Sequence, residues 1–281
     1  MKTTLLWFSG TGNSLYVAKR LAEKLEGESE LIPFSKLVGI DPIEADRVGL
    51  IFPVYGWGAP NLVARRLSEG LPLAGRPVLF SVVTCAASRG ATLQQVRRLL
   101  KADGRKLSGG YVVTMPENYP PMGGPPNREG IERILDDADR SIGRAADRIN
   151  AGKMSVPARG TLMRMVSRVV NHFASRHWTG ADQNFSVDKS CISCGRCEAI
   201  CPVGDVKLVD GRPTWQGHCE QCFACLHWCP VSAIQYGRKT RSQPRYHHPG
   251  VSIEDMLAGG TPTSIEAQPA REQTAADASD G

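Results

Sequence analysis

The sequence predicts an α/β fold in two parts: a doubly wound, five-stranded parallel sheet of strand order 2-1-3-4-5, then a small α+β domain. Two observations predict it. Over residues 1–152, short apolar runs alternate with segments of helical periodicity, the pattern of βαβ units with right-handed crossovers. Over residues 184–240, a cysteine run occurs twice: Cys191-Ile-Ser-Cys194-Gly-Arg-Cys197-Glu-Ala-Ile-Cys201-Pro202 and Cys219-Glu-Gln-Cys222-Phe-Ala-Cys225-Leu-His-Trp-Cys229-Pro230. Between the two parts, 153–183 reads as a basic linker with a helix, and 241–281 reads as a mostly disordered tail with a short helix at most over 252–257.

Residues 3–8 are a short apolar run, read as a buried strand. They lead into Ser9-Gly10-Thr11-Gly12-Asn13-Ser14, after which Leu15, Ala18, Leu21, Ala22 and Leu25 recur at helical spacing. Residues 30–34 give a weak second strand and 47–53 a stronger third, followed by a Gly- and Pro-rich loop to residue 60 and a helix over 61–67. Residues 77–83 are continuously apolar, as in a central parallel strand covered on both faces. Leu93, Val96, Leu99 and Leu100 mark the helix behind it. A last strand lies near 111–114, and Ile131, Ile134, Leu135, Ile142 and Ile149 mark a helix over 128–149.

The turn at 9–14 places backbone N–H groups and hydroxyls at a helix N-terminus, where an anionic phosphate is favoured. It has no Lys, so it is not a Walker A sequence, and no acidic residue is well placed for a dinucleotide fingerprint. A monophosphate held by hydroxyls and amides fits better; a plain Gly/Ser connection is the alternative. The stretch resembles the phosphate loop of the flavodoxins, T/S-x-T-G-x-T/S, at every defined position. The resemblance implies FMN, with Ser9, Thr11, Asn13 and Ser14 on its phosphate and Gly12 in the turn. In such a sheet the loops after strands 1, 3 and 4 open at one carboxyl edge. Pro53, Val54, Tyr55, Gly56 and Trp57 would then face the isoalloxazine, the aromatics by stacking. Thr84, Cys85, Ser88 and Gly90 would border its pyrimidine side. Ordinary loop packing is the alternative for Tyr55 and Trp57, and a small buried thiol the preferred one for Cys85. Tyr119, in the Pro-rich stretch 116–126, reads as part of a surface loop rather than a cap on the pocket.

The C-x2-C-x2-C-x3-C-P run is the ligand pattern of a bacterial ferredoxin with two [4Fe–4S] clusters, which this part resembles. A cubane needs four thiolates; a tight triple hook wraps three corners and the fourth comes from elsewhere. In such ferredoxins the fourth Cys of each run ligates the other cluster. This implies one set of Cys191, Cys194, Cys197 and Cys229, and another of Cys219, Cys222, Cys225 and Cys201. Zinc prefers paired hooks and disulfides suit secreted chains. Trp215, His218, His227 and Trp228 read as packing and surface residues, since each cluster already has four cysteines.

The formal charge of +6 does not by itself argue for nucleic acid. No apolar run approaches the ~18–20 residues of a membrane span, and the first residues read as a strand rather than a signal peptide, so the cytoplasm is the expected location. In the linker, Leu162, Val166, Val169 and Phe173 share one helical side, with Arg164 and Arg168 away from it. A helix packed across the two domains is the expected arrangement, and an amphipathic helix on an anionic membrane the alternative. His172, His177 and Trp178 have no metal-ligand company. The whole is similar to fusions of a flavodoxin-like domain with a C-terminal ferredoxin. The expected function is electron transfer between FMN and two [4Fe–4S] clusters, with a redox protein as donor or acceptor. Two rivals are a first domain that is empty and serves only for docking, and a reductase with a small-molecule substrate at the flavin.

Overall fold

A computed structural model of the chain describes residues 1–178 and 180–258. Five strands, β1 (Lys2–Trp7), β2 (Glu28–Pro33), β3 (Arg47–Pro53), β4 (Val78–Cys85) and β5 (Leu107–Thr114), form one parallel sheet in the order β2-β1-β3-β4-β5. This is the predicted topology. Side chains alternate across it: Leu5, Ile51, Phe80 and Val82 enter one core, Leu6, Leu50, Phe52, Leu79 and Val83 the other. Helices α1 (Asn13–Lys24) and α4 (Arg128–Asn150) close the first core, through Leu15, Leu21 and Ile142. Helices α2 (Asn61–Glu69) and α3 (Thr92–Ala102) close the second, through Leu62, Leu67, Leu93 and Val96.

The second part is the small α+β domain. Strand β6 (Phe185–Val187) pairs antiparallel with β9 (Ile234–Tyr236), and β7 (Val206–Val209) forms a hairpin with β8 (Arg212–Trp215). One-turn helices α6 (Arg196–Ala199) and α7 (Ala224–His227) each follow a cysteine loop. Val206 and Ile234, equivalent in the internal repeat, are both buried in its core with Phe223 and Leu226. Phe185 stacks on Trp215, centroids 4.8 Å apart.

Two stretches depart from expectation. The linker helix α5 (Thr161–Trp178) exists, but it does not bury Leu162, Val166, Val169 and Phe173 between the domains; all four are exposed. Its polar side makes the contacts instead: Ser167 Oγ accepts from the Ala91 N–H at 3.0 Å, and Asn171 Nδ2 donates to Tyr55 O at 3.1 Å. Hydrogen bonding to loop backbone has won over apolar burial there. Residues 241–258 are not disordered. They form a strap that starts on the second domain, where Arg245 Nη2 donates to Ile234 O at 2.9 Å, and crosses to the first, ending in α8 (Ile253–Leu257), capped by Ser252 and tied to α1 by the Lys19–Asp255 ion pair at 2.8 Å. Tyr246, Val251 and Met256 supply the buried surface that orders it. The disorder expected for 259–281 lies outside the described residues. Among those described, no helix is long and apolar enough to cross a membrane.

Candidate functional site

Where β1 leaves the sheet, the chain turns through Gly12, at φ +92°, into α1. Only glycine takes this left-handed conformation without strain. Ser9 Oγ accepts from the Gly12 N–H at 3.0 Å, and Ser14 Oγ lies 2.8 Å from Thr84 Oγ1, which links the loop to β4. Asn13 is held at both ends: Nδ2 donates to Pro116 O at 3.3 Å and Oδ1 accepts from the Tyr246 hydroxyl at 2.8 Å. Thr11 accepts from Asn118 Nδ2, and its carbonyl from the His248 N–H at 2.8 Å. The first N–H groups of α1 have no intrahelical partner, and its first turn holds no acidic residue. The loop is therefore a preformed cradle for an anion.

This loop is one wall of a cavity of about 390 Å³. Ser9, Thr11, Asn13, Ser14, Pro53, Val54, Tyr55, Gly56, Thr84 and Cys85 all line it. Gly12, Trp57, Ser88 and Gly90 do not. Gly12 faces the strap, where a Cβ would meet Val251 and His248 at 3.1 and 3.2 Å. Gly56 and Trp57 both have positive φ, in a turn closed by two 2.9 Å backbone bonds between Tyr55 and Gly58. That turn carries Trp57 away from the cavity and against Gly90, whose own carbonyl bonds Arg159 Nε. Ser88 turns back on the Gly90 N–H at 3.2 Å. Burial pushes the Cys85 thiol up to about 11, so it is a neutral wall residue and not a thiolate nucleophile. Burial also holds the Tyr55 phenol well above its ordinary range.

Sequence reasoning missed two parts of the wall. Residues 115–119, which follow β5 at the same sheet edge, line it, including Tyr119. So do Gln221, Cys222 and Phe223, from the second domain. Tyr119 joins the two, its hydroxyl donating to Gln221 Oε1 at 3.0 Å and its ring set edge-on to Phe223 at 5.3 Å. It does cap the pocket.

The domains meet at this cavity. Trp228 Nε1 donates to Gly10 O at 3.1 Å. The buried Glu220 carboxyl accepts from the Asn61 and Leu62 N–H groups at the start of α2, while burial holds its affinity for a proton up, to about 7. His227 Nδ1 accepts from the Tyr246 N–H at 3.1 Å, so Nε2 carries the proton and donates to Asn118 O at 2.9 Å. This places His227 in a neutral, structural role.

The cysteines fall into the two crossed sets. Cys191, Cys194, Cys197 and Cys229 line one cavity walled by Ile192, Leu208, Pro213, Val231 and Ile234. Cys225 adjoins Cys219, Cys222 and Cys201, and more remotely Cys197 of the first set. Among the described residues, no group of three His, Cys, Asp or Glu is set to hold a single metal ion. Burial pushes the Cys197 and Cys222 thiols up to about 12. Thiolates there require a positive group to offset desolvation. Backbone N–H groups aid them: Gln221 N donates to Cys219 Sγ at 3.3 Å and Ala233 N to Cys229 Sγ at 3.2 Å. The donor sets fit iron–sulfur clusters.

No family model matches the chain. Over 47 residues it is 43% identical to a ferredoxin of Pyrobaculum islandicum, a stretch covering 16% of this chain and 43% of that protein. Over 70 residues it is 31% identical to one component of an ion-translocating oxidoreductase complex of Methanosarcina acetivorans, covering 25% of this chain and 26% of the relative. The chain thus spans less than half the length of the curated relatives it matches. Among solved structures, a flavodoxin of Streptococcus pneumoniae TIGR4 is similar at 15% identity and a TM-score of 0.32, covering 52% of this chain and 99% of that one. With its parallel sheet of order 2-1-3-4-5 and its doubled cysteine run, the chain is a fusion of a flavodoxin-like α/β domain with a C-terminal ferredoxin-like domain.

Proposed function

We propose that the chain is an electron-transfer protein in which FMN, held in the 390 Å³ cavity, is joined to two [4Fe–4S] clusters. One observation carries this reading: Cys222 lines the same cavity as Ser9, Thr11 and Ser14. A cluster ligand is a wall of the flavin site. When bound, FMN exchanges one or two electrons and each cluster one, so the assembly converts between two-electron and one-electron traffic.

The residues bind, orient and exclude water. The Ser9, Thr11 and Ser14 hydroxyls and the α1 N-terminus would take the phosphate, without a cation. Tyr55 and Tyr119 would bracket the ring system. The set of Cys201, Cys219, Cys222 and Cys225 lies next to the cavity, and the set of Cys191, Cys194, Cys197 and Cys229 beyond it, with Cys194 exposed at the surface. A partner redox protein would meet the chain there. The dry shell and the N–H···S bonds would tune the potentials.

The test is anaerobic purification with iron, sulfide and released-flavin analysis. About eight irons and one FMN per chain are expected from two four-iron clusters. Eight irons with no flavin, even after reconstitution, would leave a ferredoxin on an empty scaffold.

A further inference from the structure

Helix α5 uses its polar side to hold the first domain and turns the rest of its circumference to solvent. At 3.6 residues per turn, two arcs lie outward. One is apolar: Leu162, Met165, Val169 and Phe173 are 76%, 62%, 55% and 68% exposed. The other, beside it, carries Arg164, Arg168, His172 and Arg176. Between the arginine arc and α3 is a cavity of about 270 Å³, into which Arg98, Arg164 and Arg168 open together with Gln94 and His172. No acidic residue lines it, and none occurs in α5. Those three arginines have no ion-pair partner among the described residues.

A long apolar arc flanked by unpaired arginines is what a helix in the plane of a membrane surface requires. Apolar side chains enter the boundary between headgroups and acyl chains, and the cations take lipid phosphates. A purely acidic surface would satisfy the arginines but leave the stripe of Leu, Met, Val and Phe uncovered, whereas an anionic lipid surface takes both. We propose that α5 docks the protein on an anionic lipid surface, with lipid phosphate at the Arg98–Arg164–Arg168 cavity. Ala174, on the inner side of α5, lines the flavin-site cavity, so docking would set that cavity close to the membrane. The proposal does not depend on the redox reading.

The test is flotation of the full, cofactor-loaded chain with phosphatidylcholine vesicles, with and without phosphatidylglycerol. Flotation with the anionic vesicles alone is expected, weakening as salt screens the arginines. Val169→Asp with Phe173→Asp should lower partitioning about tenfold or more, because apolar contact is lost and like charge is added. Both positions are exposed, so the thermal midpoint should not move. Arg164→Gln with Arg168→Gln should lose the preference for anionic lipid. Absence of flotation at low salt, or equal flotation by the double aspartate variant, would overturn the proposal. So would a wild-type dimer that the aspartates turn into a monomer, since a second copy would then cover the face.

Discussion

A Cβ added at Gly10 would lie 2.2 Å from the carbonyl oxygen of Cys222. The two domains touch backbone to backbone at this point, one side being the phosphate-type loop and the other a cysteine loop. Neither side can yield by a rotamer change. Gly10→Ala should therefore part the domains locally, at a cost of roughly 1–3 kcal/mol, the usual penalty of overpacking. Thermal unfolding would read the stability loss, and stopped-flow absorbance the slower passage of electrons between flavin and cluster bands. Unchanged transfer in a correctly loaded G10A variant would remove this contact from the route.

The proposed crossed ligation makes a paired prediction. Cys229→Ala should lose the same cluster as Cys194→Ala, and Cys201→Ala the same one as Cys222→Ala. Each variant should keep about four irons of eight. Iron analysis with electron paramagnetic resonance of the reduced protein distinguishes the two clusters. If C229A matched C222A instead, each run would ligate its own cluster.

Trp228→Phe removes the bond to Gly10 O while keeping most of the buried ring. A buried hydrogen bond of this kind contributes about 0.5–1.5 kcal/mol, and the orphaned carbonyl adds to the loss. The denaturation midpoint should fall accordingly. No change would mean that water replaces the indole.

Tyr55 and Trp57 are two residues apart and should behave oppositely. Tyr55→Ala should weaken flavin binding by about tenfold, the order of one lost aromatic contact. Trp57→Ala should leave the flavin spectrum unshifted, because its side chain packs on Gly90 outside the cavity. A Trp57-dependent spectrum would show that the loop rearranges around the ring.

His248 gives the strap a pH dependence. Its ring stacks on Tyr16 at 3.9 Å, accepts from the Gly250 N–H, and leaves Nε2 buried without a partner. Burial lowers its proton affinity to about 4; Asp139 opposes this and His247 adds to it. Below the ordinary value of 6.5 the detached strap takes up a proton that the docked one refuses. The docking stability is therefore complete above 6.5 and is lost as pH falls towards 4, by up to roughly 3 kcal/mol. Hydrogen exchange of residues 246–258 at pH 7 and pH 5 measures it. Equal protection at both values would contradict the assignment.

The sheet is legible in the sequence because its strands are short apolar runs with turn residues between them, and β3 begins and ends where its pattern does. The cysteine sets are legible because thiolate chemistry fixes their spacing. Two kinds of feature are not. Aromatic residues in a loop suit a flat ligand, which puts Trp57 in the pocket on paper; nothing in its sequence announces two successive positive φ values. The strap and the outward face of α5 escape for a shared reason. Polar residues such as Asn13, Tyr246, Ser167 and Asn171 find specific partners far along the chain, and apolar periodicity carries no record of such bonds.

The bond between Tyr246 and Asn13 spans 233 positions. Synthesis at about 5–20 residues per second separates the appearance of its two ends by roughly 10–50 s. The cradle loop is thus made long before the strap that completes it. Throughout that interval the sheet can assemble with the Thr11 carbonyl and Asn13 Oδ1 still lacking their strap partners. The cysteine loops, made earlier than the strap, have already emerged when those bonds form.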